Sequence, residues 1–156
     1  QKGFQLLLLL NFKFKERFVL NLCGNLKSDF IEKLNSSQSG LEINYKGILT
    51  HDELLTTLSE SHILLFTSRI YEGYPTILVE GLQLGLHCFA PKMIGTQDFP
   101  NNTIIHYDNI LELNKLIDDI AERKKLSKNI DQIKIMRSNF ININKSKIEL
   151  ITNDIT

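Results

Sequence analysis

Apolar and polar positions divide this chain into short alternating segments. Residues 3–14 carry a nearly unbroken leucine surface and are predicted to be helical. Arg17 to Cys23 (RFVLNLC) reads as a buried strand stopped by Gly24-Asn25, a turn pair. Ser28 is expected to N-cap a short helix over Asp29 to Leu34, followed by a polar loop from Asn35 to Gly40. Leu41 to Tyr45 is a second strand, ahead of Lys46-Gly47. In Thr50-His51-Asp52-Glu53, a Thr followed three residues later by Glu forms a capping box, with Leu54, Leu55 and Leu58 behind it as the apolar face of a helix. His62 to Thr67 (HILLFT) has the largely apolar character of a strand buried on both faces. After a loop over Ser68 to Pro75, Thr76 to Leu84 is predicted helical with Gly85 as its stop, and Leu86 to Ala90 is another buried strand. A loop runs to Asn102, an edge strand covers Asn102 to Tyr107, and Ile110, Leu113, Leu116, Ile117 and Ile120 recur at helical spacing. Residues 126–153 carry a looser, Asn-rich helical pattern.

Strands that are apolar throughout and alternate with helices predict an α/β fold, a doubly wound parallel sheet of Rossmann-like type. Such sheets bind ligands beyond the carboxyl ends of their strands. That directs attention to the loops at 24–28, 46–50, 68–76 and 91–98. A length of 156 residues suits one domain. Basic and acidic residues number 18 each, so no net field would draw in nucleic acid or an anionic membrane. Cys23 and Cys88 lie in apolar strands, read as small core side chains and lack metal-ligand spacing, which fits a reducing, cytoplasmic compartment. The greasy run from Phe4 to Leu10 is interrupted by Asn11, Lys13 and Lys15, well short of the roughly 20 residues of a membrane span. The chain opens on Gln1-Lys2-Gly3 without Met and reads as a fragment with an upstream part missing.

The stretch Ser68-Arg69-Ile70-Tyr71-Glu72-Gly73-Tyr74-Pro75-Thr76-Ile77-Leu78-Val79-Glu80-Gly81 carries the most chemistry. It leaves a buried strand and starts a helix through Gly73, which permits close backbone approach, and Pro75, whose missing N–H costs little there. The unpaired amides near Thr76 and Ile77, backed by the helix dipole, form a site for phosphate. Glu72 precedes that site and Glu80 lies one turn beyond Thr76 on the same face. Carboxylates accept hydrogen bonds from sugar hydroxyls, so two acids astride an anion hole suit a diphosphate with a hydroxyl-bearing group at each end. A nucleotide sugar is such a ligand. Each feature taken singly also has a plainer structural reading: a Glu near a helix start complements the dipole.

Glu72, seven intervening residues and Glu80, written EGYPTILVE, resemble the E-x7-E motif of the retaining family 4 glycosyltransferases. The frame YKGILTHDELLTTLSESHILLFTSRIYEGYPTILVEGLQLGLHCFAP resembles that family's base-binding loop, helix, strand, motif and following strand in order. Residues 2–25 resemble its opening lysine-glycine, first helix and second strand. The resemblance implies the C-terminal, donor-binding half of a GT-B fold, with an N-terminal acceptor domain as the missing partner. It implies that Glu72 faces the donor sugar as the catalytic residue and that the amides of Gly73, Tyr74, Thr76 and Ile77, around Pro75, hold sugar and diphosphate. Glu80 would take the ribose hydroxyls, Ile48 would meet the base, and Lys2 would offset the leaving diphosphate. Lys2 is equally readable as a solvated terminal lysine.

The resemblance further implies a nucleotide-diphosphate sugar as donor, no metal or other cofactor, transfer with retention to a glycan or lipid-linked acceptor, and a place in polysaccharide synthesis. Peripheral contact with the inner face of the membrane would come through the missing domain. A non-catalytic nucleotide-sugar-binding module, or an epimerase or hydrolase on the same fold, are the alternatives. Three residues rather than the family's two separate Ser68 from Glu72, which leaves Arg69 as another candidate for the phosphates. Gly95-Thr96-Gln97-Asp98 loosely resembles the family's later Gly-rich turn, and Asp98 there reads first as a surface position. His51, His62, His87 and His106 show no metal-ligand pairing and read as structural or solvated.

Overall fold

Every strand pairing among the described residues is parallel, so each connection between paired strands returns the chain to the same end of them. The computed structural model describes residues 3–13, 15, 18–70, 73–93, 95–99 and 103–122. After a short 3-10 helix (Phe4–Leu9) come β1 (Val19–Cys23), α1 (Ser28–Ser37), β2 (Glu42–Gly47), α2 (His51–Ser59), β3 (Ile63–Leu65), α3 (Thr76–Gln83), β4 (His87–Pro91), β5 (Ile104–Tyr107) and α4 (Ile110–Glu122). The helix expected over 126–153 lies outside the described residues.

β3, β4 and β5 bury both faces. Ile63, Leu65, Phe89, Ile105 and Tyr107 join one apolar cluster with the 3-10 segment's Leu6 and Leu7, Leu34 of α1, and Leu113 and Ile117 of α4. The alternate residues Leu64, Phe66, Cys88, Ala90 and Ile104 join a second cluster with Leu58 of α2 and Leu78 and Leu82 of α3. Period-two alternation between two hydrophobic clusters makes the architecture doubly wound and explains why these strands read as continuous apolar runs. Hydrogen bonding nevertheless falls into two blocks, β1–β2 and β3–β4–β5. β1 and β3 both line a cleft of about 840 Å3 whose walls include Leu20, Leu22, Leu54, Leu64 and Phe89.

Three local expectations need correction. The helix predicted over residues 3–14 is a 3-10 turn ending at Leu9, after which Leu10 is extended (φ −62°, ψ 126°). From there Leu10 and Phe12 are buried while Asn11 and Lys13 are exposed. The reason lies across the fold: the Asn11 amide donates to Asn114 Oδ1 at 2.9 Å and the Lys13 amide to Asp118 Oδ1 at 2.7 Å. Side chains of α4 supply the acceptors that a helix would draw from its own carbonyls. Ser28 is the first residue of α1 rather than its cap; Lys27 occupies the cap position without a side-chain bond. The same helix continues to Ser37, into the predicted loop, with Ser36 and Ser37 hydroxyls donating to the Lys33 and Leu34 carbonyls.

Other elements follow local chemistry. At α2 the Thr50 hydroxyl accepts from the Glu53 amide at 3.4 Å and Glu53 accepts from the Thr50 amide at 2.8 Å, a complete capping box. The bond from the Thr50 amide foremost, and then the Thr50 hydroxyl donating to Glu53 Oε2 at 2.8 Å, hold the Glu53 carboxyl below its ordinary pKa. α3 stops at Gly85 (φ 78°): the Gly85 amide donates to Leu82 at 3.0 Å and the Leu86 amide to Gly81 at 2.9 Å, a Schellman motif.

Candidate functional site

The carboxyl end of β3 is a buried platform. Phe66, Thr67 and Ser68 follow the strand at under a tenth exposure each. The Tyr107 hydroxyl donates to the Phe66 carbonyl at 3.0 Å. Burial pushes the Tyr107 pKa up to about 12, against a smaller pull from Arg69, so the guanidinium belongs to this end of the sheet. Gly3 lies against the same platform: a Cβ added to it would sit 1.7 Å from the Thr67 carbonyl oxygen, and its φ is +75°. Only glycine permits that approach. The residue after Lys2 is thereby fixed at the strand end, while Lys2, Tyr71 and Glu72 lie outside the described residues.

α3 begins with Pro75 at its N-cap (φ −65°, ψ 109°), which offers no side-chain bond. Its first turn carries no acidic residue. The contrast with its neighbours is informative: Asp29 occupies the first turn of α1, Asp52 and Glu53 that of α2, and Glu112 that of α4. A helix start with neither cap nor carboxylate keeps its partial positive charge for an outside anion. Thr76 there is exposed and Ile77 half-buried. The helix is seated closely on the sheet at Gly81, where a Cβ would come within 2.6 Å of Leu64 Cδ2 and 3.0 Å of Cys88 Sγ.

One turn in, Glu80 sits beside the start of α2. Its Oε1 is 4.0 Å from His51 Nδ1, with side-chain exposures of 22% for Glu80 and 65% for His51. Ile48, in the loop before α2, is 76% exposed. Ile48, Leu49, Cys23, Gly24, Thr67 and Ile77 are among the residues lining the cleft between β1 and β3. A carboxylate and an imidazole thus stand side by side where α3 meets the start of α2, and the uncovered Ile48 lies in the loop just before that start.

Just ahead of α3, Tyr74 stacks flat on Phe99, ring centroids 4.5 Å apart and planes within 1°. Burial, and then the Asp98 charge, raise the Tyr74 pKa. Thr96 builds the turn that presents Asp98 and Phe99. It is buried, and its hydroxyl bonds the Pro91 and Met93 carbonyls at 2.7 and 2.8 Å. Asp98 is exposed, as its reading as a surface position predicts, yet it stands beside the motif loop.

No protein-family model matches the sequence, and no curated protein matches it. Solved structures do. HepE from Anabaena, crystallised with UDP, superimposes with a TM-score of 0.71 at 16% identity over 97% of this chain and 45% of HepE. The catalytic domain of cholesterol-α-glucosyltransferase from Helicobacter pylori gives 0.68 at 18% identity, covering 92% of each chain. Sucrose-phosphate synthase from Thermosynechococcus elongatus gives 0.61 at 15% identity, over 97% of this chain and 43% of the synthase. The chain has the fold of a GT-B C-terminal domain. It spans under half the length of HepE and of the synthase.

Ile48 and Ile77 line the cleft, Thr76 and Glu80 lie on α3 with Glu80 beside His51, and Gly73, Tyr74 and Pro75 lead into that helix. Nothing in the described residues speaks for or against Glu72 and Lys2. Sequence reasoning missed two partners. His51 was read as structural or solvated, with nothing to bring it to Glu80, and Phe99 gave no signal that it would stack on Tyr74. No described helix is long and apolar enough to cross a membrane.

Proposed function

We propose that this chain is the donor-binding half of a retaining glycosyltransferase that moves a hexosyl group from a nucleoside diphosphate sugar to a glycan or lipid-linked acceptor. The observation that carries the reading is the start of α3: bare of cap and acid, unlike the other described α-helices, with Glu80 one turn behind it. The amides of Gly73, Tyr74, Thr76 and Ile77 hold the diphosphate and sugar, Glu80 accepts from the ribose hydroxyls, and Ile48 packs on the base. Glu72 orients the donor sugar at its reacting carbon, and Lys2 neutralises the departing diphosphate. These charges and amides suffice for a donor held without a metal. The acceptor is bound by a second domain, and the whole protein works in the cytoplasm, at the membrane's inner face where its acceptor is lipid-linked.

The fold supports this assignment, since HepE was crystallised with UDP and with UDP-glucose. A second reading, donor binding without transfer by this chain alone, is favoured by its spanning 45% of HepE. Calorimetric titration with UDP-, GDP- and ADP-sugars tests the shared step. One of them should bind with 1:1 stoichiometry, and absence of binding by all three refutes both readings. In the full-length protein Glu72→Ala should cut turnover at least about a hundredfold, the usual cost of removing a group acting at the reacting centre. Undiminished transfer would remove Glu72 from the mechanism.

A further inference from the structure

We infer that His51 is a ligand-contacting specificity residue that reads one ribose hydroxyl jointly with Glu80. The inference rests on the donor-binding reading above. His51 Nδ1 and Glu80 Oε1 stand 4.0 Å apart, too far for a hydrogen bond between them. The gap has the size of a bridging group. An oxygen about 2.8 Å from each of two atoms separated by 4.0 Å subtends an angle of roughly 90°. A hydroxyl's O–H and lone-pair directions lie roughly 105–110° apart, so each bond bends by only about 10° to fit, within the range hydrogen bonds tolerate. A hydroxyl placed there donates to the Glu80 carboxylate and accepts from the Nδ1–H of His51, satisfying both polar directions at once. Water lacks the rest of the nucleotide to hold it there, whereas a ribose anchored through its phosphates at the start of α3 carries two vicinal hydroxyls to the spot.

The two residues come from different elements, which gives the pair geometric definition. His51 is the first residue of α2, and the Thr50–Glu53 capping box fixes that end of the helix. Glu80 is seated by the close packing of the adjacent Gly81 on Leu64 and Cys88. His51 itself is largely exposed, so its ring is accessible to a ligand and its replacement removes little packing. A pair that donates on one side and accepts on the other discriminates sharply against a ligand lacking the hydroxyl, because both protein groups are then left without it.

The test uses the 156-residue chain and the nucleoside diphosphate that binds tightest among UDP, GDP and ADP, with its 2′-deoxy and 3′-deoxy forms and inorganic diphosphate. The wild-type chain should bind one deoxy form at least about tenfold more weakly than the ribonucleotide, as expected for a lost bond to a charged group. His51→Ala should weaken ribonucleotide binding about tenfold and shrink that discrimination to about threefold or less. His51→Asn, which retains a side-chain N–H, should recover part of both. Inorganic diphosphate should bind all three proteins alike. If His51→Ala keeps wild-type affinity and discrimination while Glu80→Gln loses them, the bridge is wrong and the ribose role of Glu80 stands. If the wild-type chain treats both deoxy forms like the ribonucleotide, the bridge and the ribose role fail together. Failure to bind any nucleotide removes the donor-binding reading itself.

Discussion

Placing an acid at the bare start of α3 should raise stability and lower affinity at the same time. Thr76 is the first residue of that helix and is exposed, so Thr76→Asp introduces a carboxylate without disturbing packing. Asp29, Asp52, Glu53 and Glu112 already serve this purpose in α1, α2 and α4. An acid near a helix N-terminus stabilises by about 0.3–1 kcal/mol, which in a chain of this size is about 1–4 °C in Tm. For a diphosphate bound at the same amides the sign reverses. A new negative charge about 5 Å from a phosphate charge, at an effective dielectric near 20, costs roughly 3 kcal/mol before screening. Allowing for salt, about 2–3 kcal/mol remains, or a 30- to 150-fold rise in Kd. Differential scanning fluorimetry reads the first effect and calorimetry the second. Thr76→Asn, of the same shape and uncharged, should show neither in full. Higher salt should narrow the affinity gap. A Thr76→Asp chain that binds nucleoside diphosphate as tightly as wild type would refute the placement of the diphosphate at α3. A lowered Tm would refute the claim that this helix start lacks a counter-charge.

Two stability predictions follow from buried groups around the site. Tyr107→Phe removes the donor to the Phe66 carbonyl and should cost about 1–2 kcal/mol, a drop of about 2–8 °C in a thermal melt; an unchanged Tm would show that the bond contributes nothing. His106 has a buried Nδ1 with no hydrogen-bond partner; burial first, then Lys92, hold its pKa below the ordinary 6.5, against smaller upward pulls from the Ala90 backbone and Asp108. The folded chain therefore resists a proton that the unfolded chain accepts, so this contribution to stability is complete above about pH 6.5 and is lost as pH falls through that value. Tm measured from pH 7.5 down to 5.5 should fall, and His106→Gln should flatten the slope over that window.

What was legible in the sequence was whatever depends on residues near one another along the chain. The capping box at Thr50–Glu53, the stop at Gly85 and the amphipathic stripe of α4 each rest on contacts within a few positions. The apolar strands announced a sheet covered on both faces, and the Glu72–Glu80 spacing marked the loop on which the proposed site rests. The errors arise where a distant residue wins. Five consecutive leucines at 6–10 favour a helix locally, but Asn114 and Asp118, more than a hundred residues away, accept the backbone bonds of Asn11 and Lys13 and let the chain run extended. The division of the strands into two hydrogen-bonded blocks has no sequence mark at all. Nor does the meeting of His51 with Glu80, since it depends on how α2 and α3 lie against each other.

α3 ties the stability of this fold to its proposed chemistry. Its eight residues include Thr76, Ile77, Val79 and Gly81, a composition of low intrinsic helix propensity and a length far below what holds together alone in water. The helix exists because Leu78 and Leu82 are buried, Gly81 lets its backbone approach Leu64 and Cys88, and the Schellman turn at Gly85 closes its far end. All of that stabilisation acts from the sheet side and the C-terminal end. The N-terminal end is left to whatever binds there. An acid in the first turn would have strengthened a weak helix at no cost in packing, yet none is present among residues 76–78, whereas three neighbouring helices have one. The sheet-side contacts therefore fix the helix that carries Glu80 and the first-turn amides, and the vacant counter-charge position is the part of the helix that the proposed diphosphate would complete.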